Sequence, residues 1–300
     1  MKYRIIKVPS KYISPINMNG LRGKMVFFPN RLSKNNILYI PDILSSLDLS
    51  WNIINLFHDY GNITAIDLPG IGGMEAFHLI KQKNRIDNFA DYLASFIKLR
   101  YKNKKLIVVA NGFGFIAITR TLQKYPILTK NIKIVVSING ISRYDALKLS
   151  YRKRAIIKLL AFTGDLSKLI FLSLFKNQLM DMNVYSNNKH RIYLENLTKT
   201  DNKYMHKKLI ENDYRTNVSM LNEIIKVDNC NKRLDLHLWN LVLNDNCIDQ
   251  KINEQHLRIT YKKYNHSLSQ INYYDLISNR TNSLNQLIPT KLKKHLISKH

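Results

Sequence analysis

Four short runs of aliphatic residues, separated by longer segments, constrain the fold more than any other feature of this sequence. They lie at residues 36–40, 62–67, 106–110 and 132–138. Ile and Val dominate these runs, and polar residues do not alternate with apolar ones as they do in a half-exposed strand. Strands of this kind are covered on both faces, which is typical of a parallel sheet. The sequence therefore predicts an α/β fold with a mostly parallel central sheet and helices on both faces.

The segments between these runs have the spacing of amphipathic helices. The clearest helix covers residues 86–97, where apolar side chains recur every three or four positions and form one stripe. Further strands are predicted at residues 2–8, 24–28 and 236–243, and a short helix near residues 291–297. The strand signal at 236–243 extends the same sheet toward the end of the chain.

Residues 144–226 interrupt the alternation of strands and helices. No run typical of a buried strand occurs there, and the apolar positions follow helical spacing. We therefore predict one α/β core, built from residues 1–143 and 227–300, with a helical cap inserted at 144–226. The apolar cap residues either pack against the sheet domain or roof an apolar pocket; they are Phe162, Leu169, Ile170, Phe171 and Phe175.

The charge of the chain is strongly positive, because 47 Lys and Arg against 21 Asp and Glu give a formal net charge of +26. Such an excess favours nucleic acid or an anionic membrane as partner. The lysines are spread along the whole chain, however, and no zinc-finger spacing or arginine-rich tract occurs. Nucleic acid is therefore not expected as a partner, although the basic clusters at 151–154 and 291–295 could contact an acidic surface.

The cysteine content and the apolar stretches indicate a reducing, aqueous compartment. Cys230 and Cys247 cannot form a disulfide framework, and neither has a CxxC neighbour that would favour zinc. No signal peptide is predicted, and the most apolar stretch, 155–175, is interrupted by charged residues, so no membrane span is expected. We expect a cytoplasmic protein without a metal or cofactor; the oligomeric state is not predicted.

Three segments in order along alternating strands carry a family resemblance. Residues 67–72 read Asp-Leu-Pro-Gly-Ile-Gly directly after a strand, and residues 40–46 follow another strand and lead to Trp51. Residues 108–115 read Val-Val-Ala-Asn-Gly-Phe-Gly-Phe between a strand and a helix. Together they resemble the glycine loop, oxyanion loop and nucleophile elbow of the α/β-hydrolase fold superfamily, in its capped esterase, peptidase and haloperoxidase branch. The resemblance covers residues 37–142 and implies descent from serine hydrolases.

The elbow departs from the Gly-x-Ser-x-Gly pattern of that family, because Gly112 stands where the resemblance places the nucleophilic serine. A glycine has no side-chain oxygen, and neither Asn111 nor Phe113 is a nucleophile, so an acyl-enzyme is not expected. The resemblance places the two backbone oxyanion donors at Ile43 and Phe113. Asp42 would bring a carboxylate close to a developing negative charge, which opposes acyl transfer unless its side chain points away.

The catalytic acid and base have candidates, each with two interpretations. Residues 244–249 resemble the acid loop of the family, with Asp245 as the best match and Asp249 as the second. Residues 264–268 resemble the base loop, with His266 as the histidine. Asp245 is otherwise a turn or helix-capping residue, and His266 an exposed loop histidine. If residues 251–264 form one helix, the last strand moves to 271–276 and no histidine follows it closely.

Three functions follow as hypotheses. The first is a degenerate hydrolase that binds a small apolar or acyl-type ligand, or a partner, beneath the cap. The second is a hydrolase or lyase in which Asp245 and His266 act as a general base without a serine, and it predicts that His266 faces Gly112. The third is an adaptor for nucleic acid or an anionic membrane, and it predicts basic residues clustered on one face.

Overall fold

An eight-stranded sheet forms the centre of the computed structural model, which describes residues 5–43, 47–163, 198–244, 247–271 and 287–297. The strands are Ile13–Met18 (β1), Leu21–Phe28 (β2), Asn36–Ile40 (β3), Asn62–Ile66 (β4), Leu106–Asn111 (β5), Ile132–Ile138 (β6), Leu234–Val242 (β7) and Tyr261–Leu268 (β8). Their order across the sheet is β1-β2-β4-β3-β5-β6-β7-β8. Strands β3 to β8 pair in parallel, whereas β1 and β2 are antiparallel to their neighbours. The predicted mostly parallel α/β sheet is confirmed.

Successive side chains of the central strands point alternately into two apolar clusters, one on each face of the sheet. In β3, Leu38 and Ile40 belong to one cluster, while Ile37 and Tyr39 belong to the other. All four are at most 1% exposed. Since both faces are covered, a polar residue at either set of positions would be desolvated, and this explains the unbroken apolar runs.

Helices cover both faces, as predicted. They are Trp51–His58 (α1), Ile86–Arg100 (α2), Phe113–Lys124 (α3), Tyr151–Thr163 (α4), Lys199–Ile210 (α5), Tyr214–Ile224 (α6), Gln250–Thr260 (α7) and Thr290–Ile297 (α8). Helices α2 and α3 belong to the first cluster through Phe89 and Ile116. Helices α1 and α8 belong to the second through Phe57 and Leu292. The helix predicted near residues 291–297 is therefore present and packs on the core.

The first strand pair differs from the prediction. The run at residues 2–8 was expected as a strand, but residues 5–8 form none of the eight strands, and β1 lies at Ile13–Met18 instead. A two-residue turn at Asn19 and Gly20, with φ values of 54° and 78°, joins β1 to β2. Turns with two positive φ angles match the twist of paired strands, so this turn favours the hairpin over the earlier run.

The described part of the segment between β6 and β7 is mainly helical and contains none of the eight strands. It contains α4, α5, α6 and a 3-10 turn at Tyr144–Ala146. Of the apolar residues expected to pack or to line a pocket roof there, Phe162 is 89% exposed, and the other four lie outside the described residues. That this insertion caps a ligand pocket stays a prediction. None of the described helices has the length and apolar composition needed to cross a membrane.

Candidate functional site

A sharp turn joins β5 to α3 at Gly112. Its φ of 46° and ψ of −115° lie in a region that side chains make costly, and α3 begins at the next residue, Phe113. Gly114 allows the turn to approach β3, because a Cβ there would lie 2.6 Å from the carbonyl oxygen of Ile40. The chain therefore has the strand-turn-helix shape of a nucleophile elbow, with glycine at its apex.

The carboxylate of Asp42 binds both backbone donors beside this elbow. Its Oδ1 accepts hydrogen bonds from the N–H of Ile43 at 2.9 Å and from the N–H of Phe113 at 2.8 Å. The two donors come from different loops and converge on one oxygen, which is the arrangement that holds an oxyanion in acyl transfer. The oxygen they hold here belongs to the protein itself.

The same carboxylate occupies the space beside Gly112. A Cβ built on Gly112 would lie 2.5 Å from both carboxylate oxygens of Asp42. The alternative in which Asp42 points away from the elbow therefore does not describe this structure. Any side chain at position 112 requires Asp42 to move.

Burial controls the protonation of this group. Asp42 is 2% exposed, and desolvation raises its pKa to about 6, against the hydrogen bonds from Phe113 and Ile43 that stabilise the anion. Beside it, the buried Tyr39 hydroxyl lies 3.2 Å from the Ser50 hydroxyl. Burial raises the pKa of Tyr39, and the charge of Asp42 raises it further, so this phenol stays protonated. The site therefore contains a carboxylate that titrates near neutrality and a neutral phenol.

A second buried carboxylate, Asp67, lies at the start of the glycine loop. Its Oδ1 accepts a hydrogen bond from the Leu47 N–H at 2.9 Å, while Oδ2 has no partner among the described residues. A Cβ on Gly72 would collide with that carboxylate, which explains a glycine with φ of 61° there. Desolvation raises the pKa of Asp67 to about 7. The glycine loop therefore begins with a second buried carboxyl group that titrates near neutral pH.

The residues between α5 and α6 contact both the loop after β3 and the glycine loop after β4. Asn212 accepts a hydrogen bond from the Gly72 N–H at 2.8 Å and donates one to the Ile43 carbonyl at 3.3 Å. The N–H of Asp213 donates to the Gly70 carbonyl at 2.7 Å. The segment between β6 and β7 thus contacts Ile43, whose N–H is one of the two donors to Asp42. Sequence reasoning missed Asn212, because no local pattern marks a contact across 140 or more residues.

An ion-pair cluster reinforces this contact. Asp48, in the loop after β3, pairs with Lys24 of β2 at 2.5 Å and with Lys208 of α5 at 3.1 Å. Lys208 also pairs with Glu211 at 2.7 Å. The side chains of Asp48, Lys24 and Lys208 are between 10% and 23% exposed, so solvent screens their charges only in part.

We expect Asp48→Ala to lower the free energy of unfolding by about 2 kcal/mol, because the largely buried Lys24 loses its carboxylate and Lys208 keeps only Glu211. The matched control is Asp235→Ala. Asp235 pairs with Lys262, but their side chains are 79% and 57% exposed, so no measurable change is expected. Urea unfolding followed by circular dichroism measures both variants. Equal stability of the two would contradict a structural role for the cluster.

The structure does not bring His266 to the elbow. Residues 264–268, expected as a loop, form the second half of β8, because α7 ends at Thr260 and Tyr261 is already extended. The alternative, a single helix over residues 251–264, is not observed either, because residues 261–264 already belong to β8. His266 is exposed, pairs in register with Asn240, and lies in a strand three positions from β5, about 14 Å at the usual strand spacing.

The two acid candidates have different outcomes. Asp245 lies outside the described residues. Asp249 caps α7, since its side chain accepts hydrogen bonds from the N–H groups of Lys251 and Ile252 at 3.1 Å. Asp249 therefore has a structural role at this position.

Metal binding has no candidate in the part of the chain that the structure describes, where no group of three His, Cys, Asp or Glu side chains is arranged to hold an ion. The buried carboxylates of Asp42 and Asp67 accept hydrogen bonds from backbone N–H groups.

Comparison of the whole chain with known proteins identifies the fold. No protein-family model matches the sequence, and no curated protein sequence matches it. Among solved structures, a thermophilic esterase from Thermogutta terrifontis aligns over 98% of this chain and 99% of its own, with 12% identity and a TM-score of 0.67. An N-formylmaleamic acid deformylase from Pseudomonas putida S16 aligns over 92% and 99%, with 12% identity and a TM-score of 0.65.

A third structure agrees with these two. A lipase-esterase related protein from Clostridium acetobutylicum ATCC 824 aligns over 87% of this chain and 96% of its own, with 17% identity and a TM-score of 0.57. At such identities the likeness establishes architecture and not activity. With its mostly parallel sheet and its strand-turn-helix elbow at Gly112, this chain has the α/β-hydrolase fold.

Proposed function

We propose that this protein binds a small apolar or acyl-type ligand at the former hydrolase site and forms no acyl-enzyme through a serine. One observation carries the proposal: the Asp42 carboxylate accepts hydrogen bonds from both Ile43 and Phe113 and lies against Gly112. Acyl transfer needs a nucleophile at the elbow and a free oxyanion site. This chain has a glycine at the first position and its own carboxylate at the second.

The class of ligand is supported by the fold. The esterase and the lipase-esterase related protein named above share this architecture, and their names refer to acyl compounds. The insertion between β6 and β7 contacts the glycine and oxyanion loops, as a pocket cover would. We therefore infer an acyl chain or a similar apolar group as the bound part of the ligand.

Fluorophosphonate labelling tests the absence of an acyl-enzyme. We expect wild type to remain unlabelled because it has no serine at the elbow. We expect Gly112→Ser to remain unlabelled because the new side chain and the buried Asp42 carboxylate compete for one space, which distorts the elbow and keeps a negative charge beside the serine. Gly112→Ser/Asp42→Ala removes both obstacles, so we expect any labelling to appear in the double variant alone. Mass spectrometry locates the modified residue. Labelling of wild type, or equal labelling of the single and double variants, would contradict the proposal.

Ligand binding is measured on the same proteins. A dansyl-labelled fatty acid reports occupancy of an apolar site by its fluorescence, and p-nitrophenyl esters of short to long acyl chains compete with it. We expect wild type to bind the probe and release no p-nitrophenol above the buffer rate. If no ester of any chain length competed with the probe, the proposal of an acyl-type ligand would be contradicted, even if no p-nitrophenol were released.

A second candidate is general-base catalysis without a covalent intermediate. Its supporting observation is the buried carboxylate of Asp42 against the elbow, where burial raises its pKa to about 6. A carboxylate of this kind is a competent base at neutral pH. Turnover that is lost in Asp42→Asn and retained in His266→Ala would favour this candidate over the one based on Asp245 and His266.

A further inference from the structure

Helix α4 has apolar side chains on two opposite sides. Ile157 and Leu160 are 2% and 8% exposed, and Leu160 packs with Val218 of α6. On the other side, Tyr151 is 86% exposed and Phe162 is 89% exposed. One side of α4 is therefore attached to the protein while the other presents large apolar groups to solvent.

The exposed apolar residues form a continuous stripe. Positions 151, 155, 159 and 162 recur at intervals of three or four, which places them above one another on a helix. Leu159 is 62% exposed and Ile156, at the edge of the stripe, is 38% exposed. Single exposed apolar residues need no explanation, but several on one helical face mark an interaction surface.

Basic side chains border the stripe. Arg152 and Lys158 lie on either side of it and are exposed, and no acidic residue occurs between Tyr151 and Thr163. Long basic side chains can extend past an apolar stripe to reach anionic groups at the same surface. The chain as a whole carries a formal charge of +26, which strengthens attraction to any anionic surface.

We propose that this face of α4 docks the protein onto an anionic lipid surface, with the apolar stripe in the interfacial region and the basic residues against phosphate headgroups. Helices that lie in a membrane interface combine a stripe of Trp, Phe or Leu with flanking Lys and Arg. Nucleic acid offers phosphates of the same charge but no apolar medium for Phe162 and Tyr151. The combination of the two chemistries therefore favours lipid. This proposal is independent of the function proposed for the elbow.

Vesicle flotation with the full chain tests the proposal. We expect binding to vesicles of phosphatidylcholine with phosphatidylglycerol, weaker binding to phosphatidylcholine alone, and loss of binding at high salt. Phe162→Asp should reduce binding at least about 10-fold. It removes an aromatic group that the proposal buries in the lipid, and it adds a charge that anionic headgroups repel. Its matched control is Leu32→Asp, at a leucine that is 99% exposed in the turn between β2 and β3, and this variant should bind like wild type.

The charge contribution has its own pair of variants. Arg152→Glu/Lys158→Glu should weaken binding about 10-fold or more, because it reverses the charge of the two basic residues that flank the stripe. Lys102→Glu/Lys104→Glu makes the same change of net charge at exposed positions between α2 and β5, and it should have a much smaller effect. Circular dichroism melting curves verify that all four variants fold.

Four results would overturn the proposal. They are no flotation of wild type, equal flotation of all variants, oligomers that Phe162→Asp alone disperses, and nucleic-acid binding that needs Arg152 and Lys158 but not Phe162. The third result would assign the face to a second copy of the chain, and the fourth to nucleic acid. Either would remove lipid as the occupant.

Discussion

Gly112→Ala is expected to lower the free energy of unfolding by at least about 3 kcal/mol. The new Cβ would lie 2.5 Å from both carboxylate oxygens of Asp42, so Asp42 must leave its two N–H donors. A hydrogen bond to a charged group contributes about 1.5–3 kcal/mol, and the φ of 46° adds strain of the order of 1 kcal/mol for a residue with a side chain. Urea unfolding at pH 8, where Asp42 is ionised, measures the change.

Gly73→Ala is the matched control for this variant. Gly73 has a φ of 85°, but a Cβ there would have no atom within 4 Å. It therefore shows the cost of the backbone conformation without a collision, about 1 kcal/mol. If Gly112→Ala costs no more than Gly73→Ala, the carboxylate does not occupy the space beside the elbow.

Removal of the carboxylate should rescue the glycine variant. In Gly112→Ala/Asp42→Ala the collision is gone, so the double variant should be more stable than the sum of the two single changes predicts. We expect a coupling free energy of about 2 kcal/mol, which is typical of residues in direct contact. An additive result would contradict the contact and, with it, the argument that Asp42 blocks acyl transfer.

The free energy of unfolding is expected to fall as the pH rises from about 4 to above 7. We expect the deprotonation of Asp67 to cause a large part of this fall. Burial raises the pKa of Asp67 to about 7, whereas a carboxyl in the unfolded chain titrates near about 4. The folded state therefore holds a proton that the unfolded state has lost within this window. Its contribution is complete below the unfolded pKa and disappears as the pH passes the folded pKa.

Asp67→Asn tests this origin. The amide oxygen can still accept the hydrogen bond from Leu47, and an uncharged side chain removes the titration. We expect the difference in unfolding free energy between pH 5 and pH 8 to shrink by about 2–4 kcal/mol, with Asp235→Asn as the exposed control. Asp42, whose pKa burial raises to about 6, acts in the same direction and limits how flat the profile becomes. An unchanged profile in Asp67→Asn would assign the pH dependence to other groups.

The architecture was predictable because it depends on local patterns. Buried strands such as β3 and β5 need apolar residues at every position, and the helices between them need an apolar stripe. The Asp-Leu-Pro-Gly-Ile-Gly loop and the glycine-rich turn at 111–114 identify the points where the chain changes direction. The hairpin at Asn19 and Gly20 has an equally local signal, but residues 2–8 and 24–28 were predicted as the opening strands and this turn was missed.

The last part of the sheet was less predictable. The choice between a loop and a strand at residues 264–268 depends on where α7 ends, and element boundaries have weak local signals. β8 also has several exposed residues, so it lacks the apolar run that identified the central strands. The placement of His266 followed from this boundary.

By itself, the sequence determined the fold class and the absence of a serine at the elbow, since both depend on residue type along the chain. Only the tertiary structure decided what the elbow holds instead. The contact of Asp42 with Phe113 joins residues 71 positions apart, and that of Asn212 with Ile43 joins residues 169 apart. No periodicity specifies such contacts, because they arise from the packing of whole elements that bring the ends of β3 and β5 together.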